Sequence, residues 1–334
     1  MLPLRSQYPI AGPSRRLCAG LLAITVSLAL GACGADDSFA PTRATPAPAE
    51  DTPASEVELI NALSGTLQRI VFTSYRTGRS DVYSMDPQGG NLAHLTTTPN
   101  HDGEPSWSWD NKHIALVRQR LDGSNIPHWD IYLINADGSN GHWARPYASS
   151  WPLWEPAWSP DGSRIVVSIE LPDGKYLGWI NLVTGAVDAF VPAVKGTEPS
   201  YDPTGQRIVF VGSAGKTIEQ INADGSGHKT RYSSSTYVRH PTFSPDGKKI
   251  LFSRVVGTGN KTQIFMKNLT TGTTQRLTWS SASDFSPSWS PDGTRIAFAS
   301  NRTGTYQIYT MSSTGANVVR IKTAYGDWLP AWSH

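Results

Sequence analysis

The chain has 334 residues, of which 38% are apolar and 12 are Trp, a composition that can bury a large core and excludes a disordered protein. Three of its 29 Lys and Arg residues lie in the first 32 positions, where there is no Asp or Glu, so the remainder has 26 basic against 27 acidic residues. A domain so close to neutral lacks the basic footprint of a nucleic-acid-binding protein, and we expect no nucleic acid partner.

The first 32 residues have the pattern of a secretory signal peptide. Arg15 and Arg16 precede an uncharged apolar run over residues 17–32, which is short for a membrane-spanning helix. The run ends Leu-Gly-Ala-Cys, which resembles the lipobox of bacterial lipoproteins. We therefore interpret residues 1–32 as a lipoprotein signal peptide and Cys33 as the lipidated first residue of the mature chain. Ordinary cleavage after Ala32 and a retained anchor are the alternatives.

Residues 33–67 are predicted to form a disordered tether behind the lipidated cysteine. The segment is rich in Pro, Ala, Thr and acidic residues and has too little apolar surface to order itself. Gly34, rather than Asp, follows Cys33, and the sorting rule of lipoproteins in double-membrane bacteria then favours the outer membrane. We expect a lipid-anchored protein of the cell envelope, on the periplasmic side of the outer membrane or at the cell surface.

From residue 68 onward the chain is a tandem repeat. Pro-x-aromatic-Ser-Pro-Asp-Gly, clearest at residues 287–293, recurs with spacings of 51, 43, 42, 46 and 43 residues between its aromatic positions. Those positions are Trp107, Trp158, Tyr201, Phe243, Trp289 and Trp332. A period of this length is typical of a propeller or solenoid. Both cysteines, Cys18 and Cys33, precede the repeats, which excludes a disulfide, a thiolate metal site or a Cys nucleophile within them.

Each repeat is predicted to contain four strands. The aromatic-Ser strand is followed by a Pro-Asp-Gly turn, an apolar run such as residues 296–298, an alternating segment such as residues 307–311, and a weak fourth strand such as residues 276–277. In the turn, Pro fixes φ, Asp accepts hydrogen bonds from backbone amides and Gly permits a positive φ. Residues 68–334 are therefore predicted to form an all-β, six-bladed β-propeller of four-stranded blades.

The two ends of the repeat region complement each other. The first apolar run, residues 70–72, has no aromatic-Ser strand before it, and the last aromatic-Ser pair, Trp332-Ser333, has no apolar run after it. We predict that the C-terminal strand becomes the inner strand of the first blade and closes the ring, leaving no exposed sheet edge there.

The repeat, Trp-Ser-Pro-Asp-Gly-x-x-Ile-Ala-Phe followed by Ile-Tyr-x-Met, resembles the propeller repeat of the TolB family over about residues 68–334. The resemblance implies a propeller that binds envelope proteins. TolB proteins carry an α/β domain before the propeller, which this sequence does not show between the tether and the repeats. Related propellers also occur in prolyl oligopeptidases and oligogalacturonate lyases, so the repeat specifies the fold more closely than the function.

The candidate binding residues come from loops that, in propellers resembling this one, gather at one mouth of the central channel. They lie just before each strand-opening Pro, where the repeat is irregular. We expect an acidic, aromatic-lined mouth with a basic margin. The predicted residues are Asp102, Glu104, Trp154, Glu155, Glu198, Arg239, His240, Asp284, Phe285, Asp327 and Trp328.

Four of these residues could hold a divalent cation, because carboxylate and imidazole groups bind Ca²⁺, Mn²⁺ or Zn²⁺. They are Glu104, Glu155, Glu198 and His240, contributed by four consecutive blades. The alternative is that Glu before Pro caps strand ends and holds water in the channel, and on that interpretation the protein needs no cofactor.

The sequence contains no Gly-x-Ser-x-Gly motif, so it offers no nucleophile elbow. Our leading interpretation is a non-catalytic, monomeric propeller that holds an envelope protein or peptide at the mouth and is anchored to the membrane through Cys33. The alternative is a metal-dependent surface protein that binds or cleaves polysaccharide, as lyases with similar propellers do.

Overall fold

The structure is a computed structural model that describes residues 68–121, 127–146, 151–190, 193–321 and 326–334. The predicted signal peptide, Cys33 and the tether lie outside the described residues. No described residue belongs to a helix that is long and apolar enough to span a membrane. All secondary structure in the described residues is strand, and the predicted all-β class is confirmed.

The described residues form 24 strands. In chain order they are β1 Ile70–Ser74, β2 Asp81–Met85, β3 Ala93–His94, β4 Asp102–Trp107, β5 His113–Leu121, β6 Pro127–Asn135, β7 His142–Trp143, β8 Leu153–Trp158, β9 Arg164–Leu171, β10 Gly174–Asn181, β11 Val187–Ala189, β12 Gly196–Tyr201, β13 Arg207–Gly212, β14 Thr217–Asn222, β15 Lys229–Ser233, β16 Val238–Phe243, β17 Lys249–Val256, β18 Lys261–Asn268, β19 Thr274–Arg276, β20 Asp284–Trp289, β21 Arg295–Ser300, β22 Gln307–Ser312, β23 Val319–Arg320 and β24 Asp327–Trp332.

The strands pair into six antiparallel sheets of four, which are the six predicted blades. Blade 1 has the order β24-β1-β2-β3, and blades 2 to 6 are β4–β7, β8–β11, β12–β15, β16–β19 and β20–β23. The inner strand of each blade contacts the inner strand of the next, and β24 contacts both β20 and β4, so the inner strands form a closed ring around a channel.

The last strand closes the ring as predicted. In β24, Trp332 pairs with Ile70 and Trp328 pairs with Thr73, so residues from the end of the chain complete a blade that begins near residue 70. The inner edge of blade 1 is thereby hydrogen-bonded rather than open, which removes a site for edge-to-edge association.

The core consists of six apolar clusters, each shared by two neighbouring blades. One of them joins Ile70 and Phe72 of blade 1 to Ala297 and Ile308 of blade 6, with Trp332 packed between them. The six repeated aromatic residues are all buried, with 3% to 7% of their surface exposed. The repeated aromatic position therefore stabilises the contact between blades, because each ring removes apolar surface of both neighbours from water.

The Pro-Asp-Gly turns have the geometry that their residue types predict. In the turn after β20, Ser290 Oγ donates to Asp292 Oδ1 at 2.5 Å, and the Thr294 amide donates to the same oxygen at 3.0 Å. Gly293 has a φ of 67°, which is costly for residues with a Cβ. Each such turn follows the end of an inner strand, so it lies at the opposite end of the channel from the residues that precede Pro.

Candidate functional site

The residue before Pro in every inner strand has a positive φ. This residue lies in a β-bulge, where the pairing register shifts, as between Gly103 and Ser106 in blade 2. The φ values range from 51° to 57° at Glu104, Glu155, Glu198, His240, Ser286 and Leu329. Few residues with a Cβ adopt this conformation, and its presence in all six blades makes it a property of the repeat.

The bulge directs the amide of this residue toward the preceding blade. The Glu104 amide of blade 2 donates to Thr73 Oγ1 of blade 1 at 3.2 Å, and the Ser286 amide of blade 6 donates to Ser253 Oγ of blade 5 at 3.1 Å. These hydrogen bonds link the inner strand of one blade to the second strand of the preceding blade, and no ladder joins those two strands. The amide is thus satisfied across the blade boundary.

Elsewhere in the ring, three carboxylates on inner strands accept a hydrogen bond from the bulged amide of the next blade. The Glu155 amide donates to Glu104 Oε2 at 2.8 Å, the Glu198 amide donates to Glu155 Oε2 at 2.7 Å, and the His240 amide donates to Glu198 Oε2. Each acceptor belongs to the blade before the donor. The three glutamates and His240, predicted to lie together, therefore form one continuous row from blade 2 to blade 5, which we call the carboxylate row.

The second strand of each blade explains where a carboxylate is needed. One position of this strand faces the bulged amide of the next blade, and it is occupied by Thr73, Val117, Ser168, Val211, Ser253 and Ala299 in blades 1 to 6. Val117, Val211 and Ala299 have no hydroxyl. Glu104 and Glu198 accept the bond beside Val117 and Val211. In blade 3, Ser168 and Glu155 both accept it. Beside Ala299 the residue before Pro is Ser286, and no described side chain accepts a hydrogen bond from the Leu329 amide. The glutamates thus accept hydrogen bonds from bulged amides inside the inner strands, rather than capping strand ends.

The pKa values of the first two carboxylates of the row are raised. Burial, together with the charge of Glu155, raises the pKa of Glu104 to about 8. Burial and the charge of Glu198 likewise raise the pKa of Glu155, although Lys175 and the hydroxyl of Ser168 oppose the shift. At neutral pH this part of the row therefore carries less negative charge than three glutamates suggest.

Glu198 differs because it has cationic neighbours. Burial would raise its pKa, but the charges of His240 and Arg239 and their hydrogen bonds lower it overall. Arg239 Nη1 donates to Glu198 Oε1 at 2.8 Å. Burial and the charge of Arg239 lower the pKa of His240 despite the attraction of Glu198. His240 is therefore neutral at pH 7, and Glu198 is ionised.

The four residues considered for a divalent cation are in one row but have other partners. An oxygen of each glutamate is already bound to a backbone amide, and Glu198 binds Arg239 as well. Within the described ranges there is no group of three or more His, Cys, Asp or Glu side chains that could hold a metal ion. The arrangement fits inter-blade hydrogen bonding better than coordination.

Three aspartates predicted at the mouth are internal counter-ions. Asp102, Asp284 and Asp327 are each exposed by 1% or less. Arg118 Nε and Nη2 bind Asp102 at 2.6 and 2.8 Å, in a bidentate pair inside blade 2. Arg302 Nη2 binds Asp284 at 2.9 Å, and Arg76 Nη2 binds Asp327 at 3.2 Å. Part of the expected basic margin therefore neutralises buried acid rather than facing a ligand.

Aromatic side chains form pairs around the mouth. Trp129 of blade 2 and Trp154 of blade 3 have ring centroids 5.1 Å apart. Phe285 meets Tyr306 edge to face at 4.9 Å. A third pair, Tyr75 and Trp328, has centroids 4.8 Å apart, and Tyr75 is 40% exposed.

Sequence reasoning named Trp154, Phe285 and Trp328 but missed Tyr75 and Tyr306. Tyr75 directly precedes Arg-Thr-Gly, and Tyr306 closely follows the same Arg-Thr-Gly triplet in blade 6. The repeated triplet was the signal that could have located both, because it marks the loop between the second and third strands in blades 1 and 6.

The opposite end of the channel holds a cavity of about 470 Å³. Its inner wall consists of the small residues that precede each repeated aromatic, among them Ser106, Ala157 and Thr242. Trp109 and His334 lie at its edge with rings stacked at 3.9 Å. This cavity is separated by the length of the inner strands from the aromatic pairs at the mouth.

Residues 218–334 match the TolB beta propeller domain. A Tol-Pal system protein TolB from Francisella tularensis is 29% identical over 224 residues, which are 53% of this chain and 52% of that protein. An uncharacterised protein of Agrobacterium fabrum is 38% identical over 92 residues, or 26% of this chain and 30% of that protein. The matches therefore span about half the length, or less, of these curated relatives.

The crystal structure of TolB from Acinetobacter baumannii has the same fold. It superposes with a TM-score of 0.69 at 22% identity and covers 85% of this chain and 74% of the A. baumannii chain. The predicted six-bladed β-propeller is confirmed, and residues 218–334 of it match the TolB beta propeller domain, in agreement with the resemblance inferred from the repeats.

Proposed function

We propose that this chain is a non-catalytic binding propeller of the cell envelope that holds a protein or peptide partner at the channel mouth, and that Cys33 anchors it to the membrane through lipid. The observation that carries the proposal is the set of aromatic pairs at the mouth, Trp129 with Trp154, Tyr75 with Trp328 and Phe285 with Tyr306. Aromatic side chains supply much of the binding energy in protein interfaces because they bury a large area at little entropic cost.

The state of the acidic residues supports binding over catalysis. The carboxylates of Glu104, Glu155 and Glu198 accept hydrogen bonds from backbone amides. A general base or a metal ligand needs an accessible oxygen aimed at substrate, whereas these oxygens stabilise the ring. The similarity to TolB of the Tol-Pal system points in the same direction, toward recognition of an envelope protein.

The test is site-specific photo-crosslinking in intact cells. A photoreactive amino acid placed at Tyr75 or Trp154 on the mouth should capture a discrete envelope protein. The matched control is the same amino acid at Lys112 or Asp224, which are exposed in turns at the other end of the channel. Replacing Tyr75, which is 40% exposed, by Ala should reduce capture from Trp154 at little cost in melting temperature.

Two results would contradict the proposal. One is equal capture from the mouth and from the control positions, which would mean that the adducts reflect abundance rather than recognition. The other is the absence of any protein adduct together with stoichiometric binding of a divalent ion and of polysaccharide, which would favour the lyase-like alternative.

A further inference from the structure

Charge is distributed very unevenly among the blades. Blade 5, residues 238–276, has one acidic residue, Asp246. Its basic residues are Arg239, Lys248, Lys249, Arg254, Lys261, Lys267 and Arg276. Blade 3, residues 153–189, has the opposite balance, with Arg164 and Lys175 as its bases. Its acids are Glu155, Asp161, Glu170, Asp173 and Asp188. A nearly neutral chain therefore carries a strongly basic sector in one blade.

The cations of blade 5 donate mainly to neutral oxygens. Arg254 Nη1 donates to the hydroxyl of Tyr232, and Arg276 Nε donates to the carbonyl oxygen of Thr278 at 2.7 Å. Lys261 Nζ donates to the carbonyl oxygen of Ser281. Among the described residues, the one ion pair made by a blade 5 cation joins Arg239 to Glu198. The positive charge of Arg254, Lys261 and Arg276 is therefore not neutralised locally.

These three cations lie at the same end of the blade, next to an exposed tryptophan. Arg254 is near the end of β17, Lys261 begins β18 and Arg276 ends β19, which places all three toward the mouth. Trp279 follows β19 and is 75% exposed. We call Arg254, Lys261, Arg276 and Trp279 the blade 5 patch.

Both arginines of the patch are held in fixed orientations. The guanidinium carbon of Arg276 lies 4.1 Å from the ring centroid of Trp279, and that of Arg254 lies 4.0 Å from the centroid of Phe265. The Nε of Arg254 is buried and has no acceptor among the described residues. A stacked, half-buried guanidinium loses little freedom when it binds a carboxylate, and its planar edge favours a two-point contact.

We propose that the blade 5 patch binds an acidic segment of a protein partner, with carboxylates on Arg254, Lys261 and Arg276 and an apolar side chain on the open face of Trp279. This inference rests on the proposed function, because it specifies the chemistry of the partner held beside the mouth. Discrete, oriented guanidinium groups favour individual carboxylates over the diffuse charge of a lipid surface, for which mobile lysines suffice. Local excess charge also accelerates the encounter with an acidic partner.

The experiment measures the fluorescence anisotropy of a labelled peptide rich in Glu with interspersed Leu, titrated with the full-length protein in detergent. The ligand control is a peptide of the same sequence in which every Glu is replaced by Gln. The Glu peptide should bind and the Gln peptide should not, and added salt should weaken the binding. Arg254→Gln and Arg276→Gln should each weaken it by roughly tenfold, as expected for the loss of one charge-assisted contact.

Two further variants test whether the blade 5 patch itself binds the peptide. Lys261 is exposed, so Lys261→Gln should weaken binding without any effect on folding, even if a variant of the half-buried arginines unfolds. Trp279→Ala should weaken binding while leaving its salt dependence unchanged. Arg320→Gln removes an exposed arginine from β23 of blade 6 and should bind the peptide as the wild type does.

Equal binding of the Glu and Gln peptides, or unaltered affinity in Arg276→Gln and Lys261→Gln, would overturn the inference. So would binding of polygalacturonate or anionic vesicles through these residues when the Glu peptide does not bind. Crosslinking from the mouth distinguishes a failure of this inference from a failure of the proposed function. A partner still captured from Trp154 in Arg276→Gln would refute the acidic segment alone, whereas no partner captured from any mouth position would refute the proposed function.

Discussion

The side-chain amide of Asn111 holds the main chain of His334 by two hydrogen bonds. The His334 amide donates to Asn111 Oδ1 at 2.8 Å, and Asn111 Nδ2 donates to the His334 carbonyl oxygen. Trp109, two residues earlier, stacks on the His334 ring at 3.9 Å. Both residues depart from the repeat, which has Pro and Gly at these turn positions. The turn of blade 2 is therefore adapted to hold the residue that follows the closing strand.

Replacing Asn111 by Gly should lower the free energy of unfolding by about 1–2 kcal/mol, because the two hydrogen bonds are lost while Gly retains the left-handed conformation at φ 58°. Denaturant titration followed by Trp fluorescence measures the change. Asn317→Gly is the matched control, since Asn317 has φ 55° and is exposed. A loss of the same size at both positions would mean that the effect arises from the backbone.

Deleting residues 329–334 should unfold the domain or cause it to associate, because it removes most of β24 and exposes the edge of β1. Deleting His334 alone should cost far less, since it removes the contacts to Asn111 and Trp109 and leaves the pairing intact. Calorimetry and size-exclusion chromatography distinguish the two. An unchanged melting temperature in the longer deletion would contradict ring closure.

Stability should fall as pH rises, because of Glu104. Folding raises the pKa of this carboxyl to about 8, above its ordinary value of 4.5, so the folded state binds the proton more tightly. The resulting stabilisation is complete below about pH 4.5 and is lost as pH rises through about 8. After allowance for screening by channel water, we expect a loss on the order of 1–2 kcal/mol between pH 5 and pH 9.

The variant Glu104→Gln tests the origin of that slope. The amide oxygen still accepts the hydrogen bond from the Glu155 amide, but the group no longer ionises. Melting curves between pH 5 and pH 9 should show a shallower decline in the variant, and the variant should be the more stable protein at the alkaline end. An identical slope in both proteins would mean that groups other than Glu104 cause the decline in stability with pH.

The rule that a hydroxyl or a carboxylate satisfies the bulged amides of blades 2 to 6 can be tested by exchanging the two. Glu198→Ala should destabilise the protein by about 1–3 kcal/mol, because the His240 amide loses its acceptor. Adding Val211→Thr should restore part of this loss, since it places a hydroxyl where Ser253 accepts the Ser286 amide. Val211→Thr alone, with Glu198 present, should give no gain. If the double variant is no more stable than Glu198→Ala, the rule is wrong.

Cys33→Ser should release the protein from the membrane fraction, because the sequence predicts that this residue carries the acyl chains. Cell fractionation measures the change, and mass spectrometry of the mature N-terminus reports the acylation directly. Cys18→Ser is the control, since Cys18 lies within the predicted signal peptide. Continued membrane association of the Cys33 variant would favour a retained anchor.

The sequence alone determined the number of blades, the strands and the ring closure. The apolar run recurs six times and the turn after the aromatic-Ser strand five times, and both signals are local. The half-repeats at the two ends of the repeat region indicated the ring closure. The sequence also located Glu104, Glu155, Glu198 and His240 at equivalent places, because each directly precedes the Pro that opens an inner strand.

Only the tertiary structure decided what these residues bind. Whether Glu104 is free for a ligand depends on Val117 and the Glu155 amide, which are distant in sequence and meet only when blades pack side by side. The same is true of Asp327, which pairs with Arg76 across 251 positions. Hydrogen bonds and ion pairs between blades depend on the lateral order of the sheets, which no single repeat encodes.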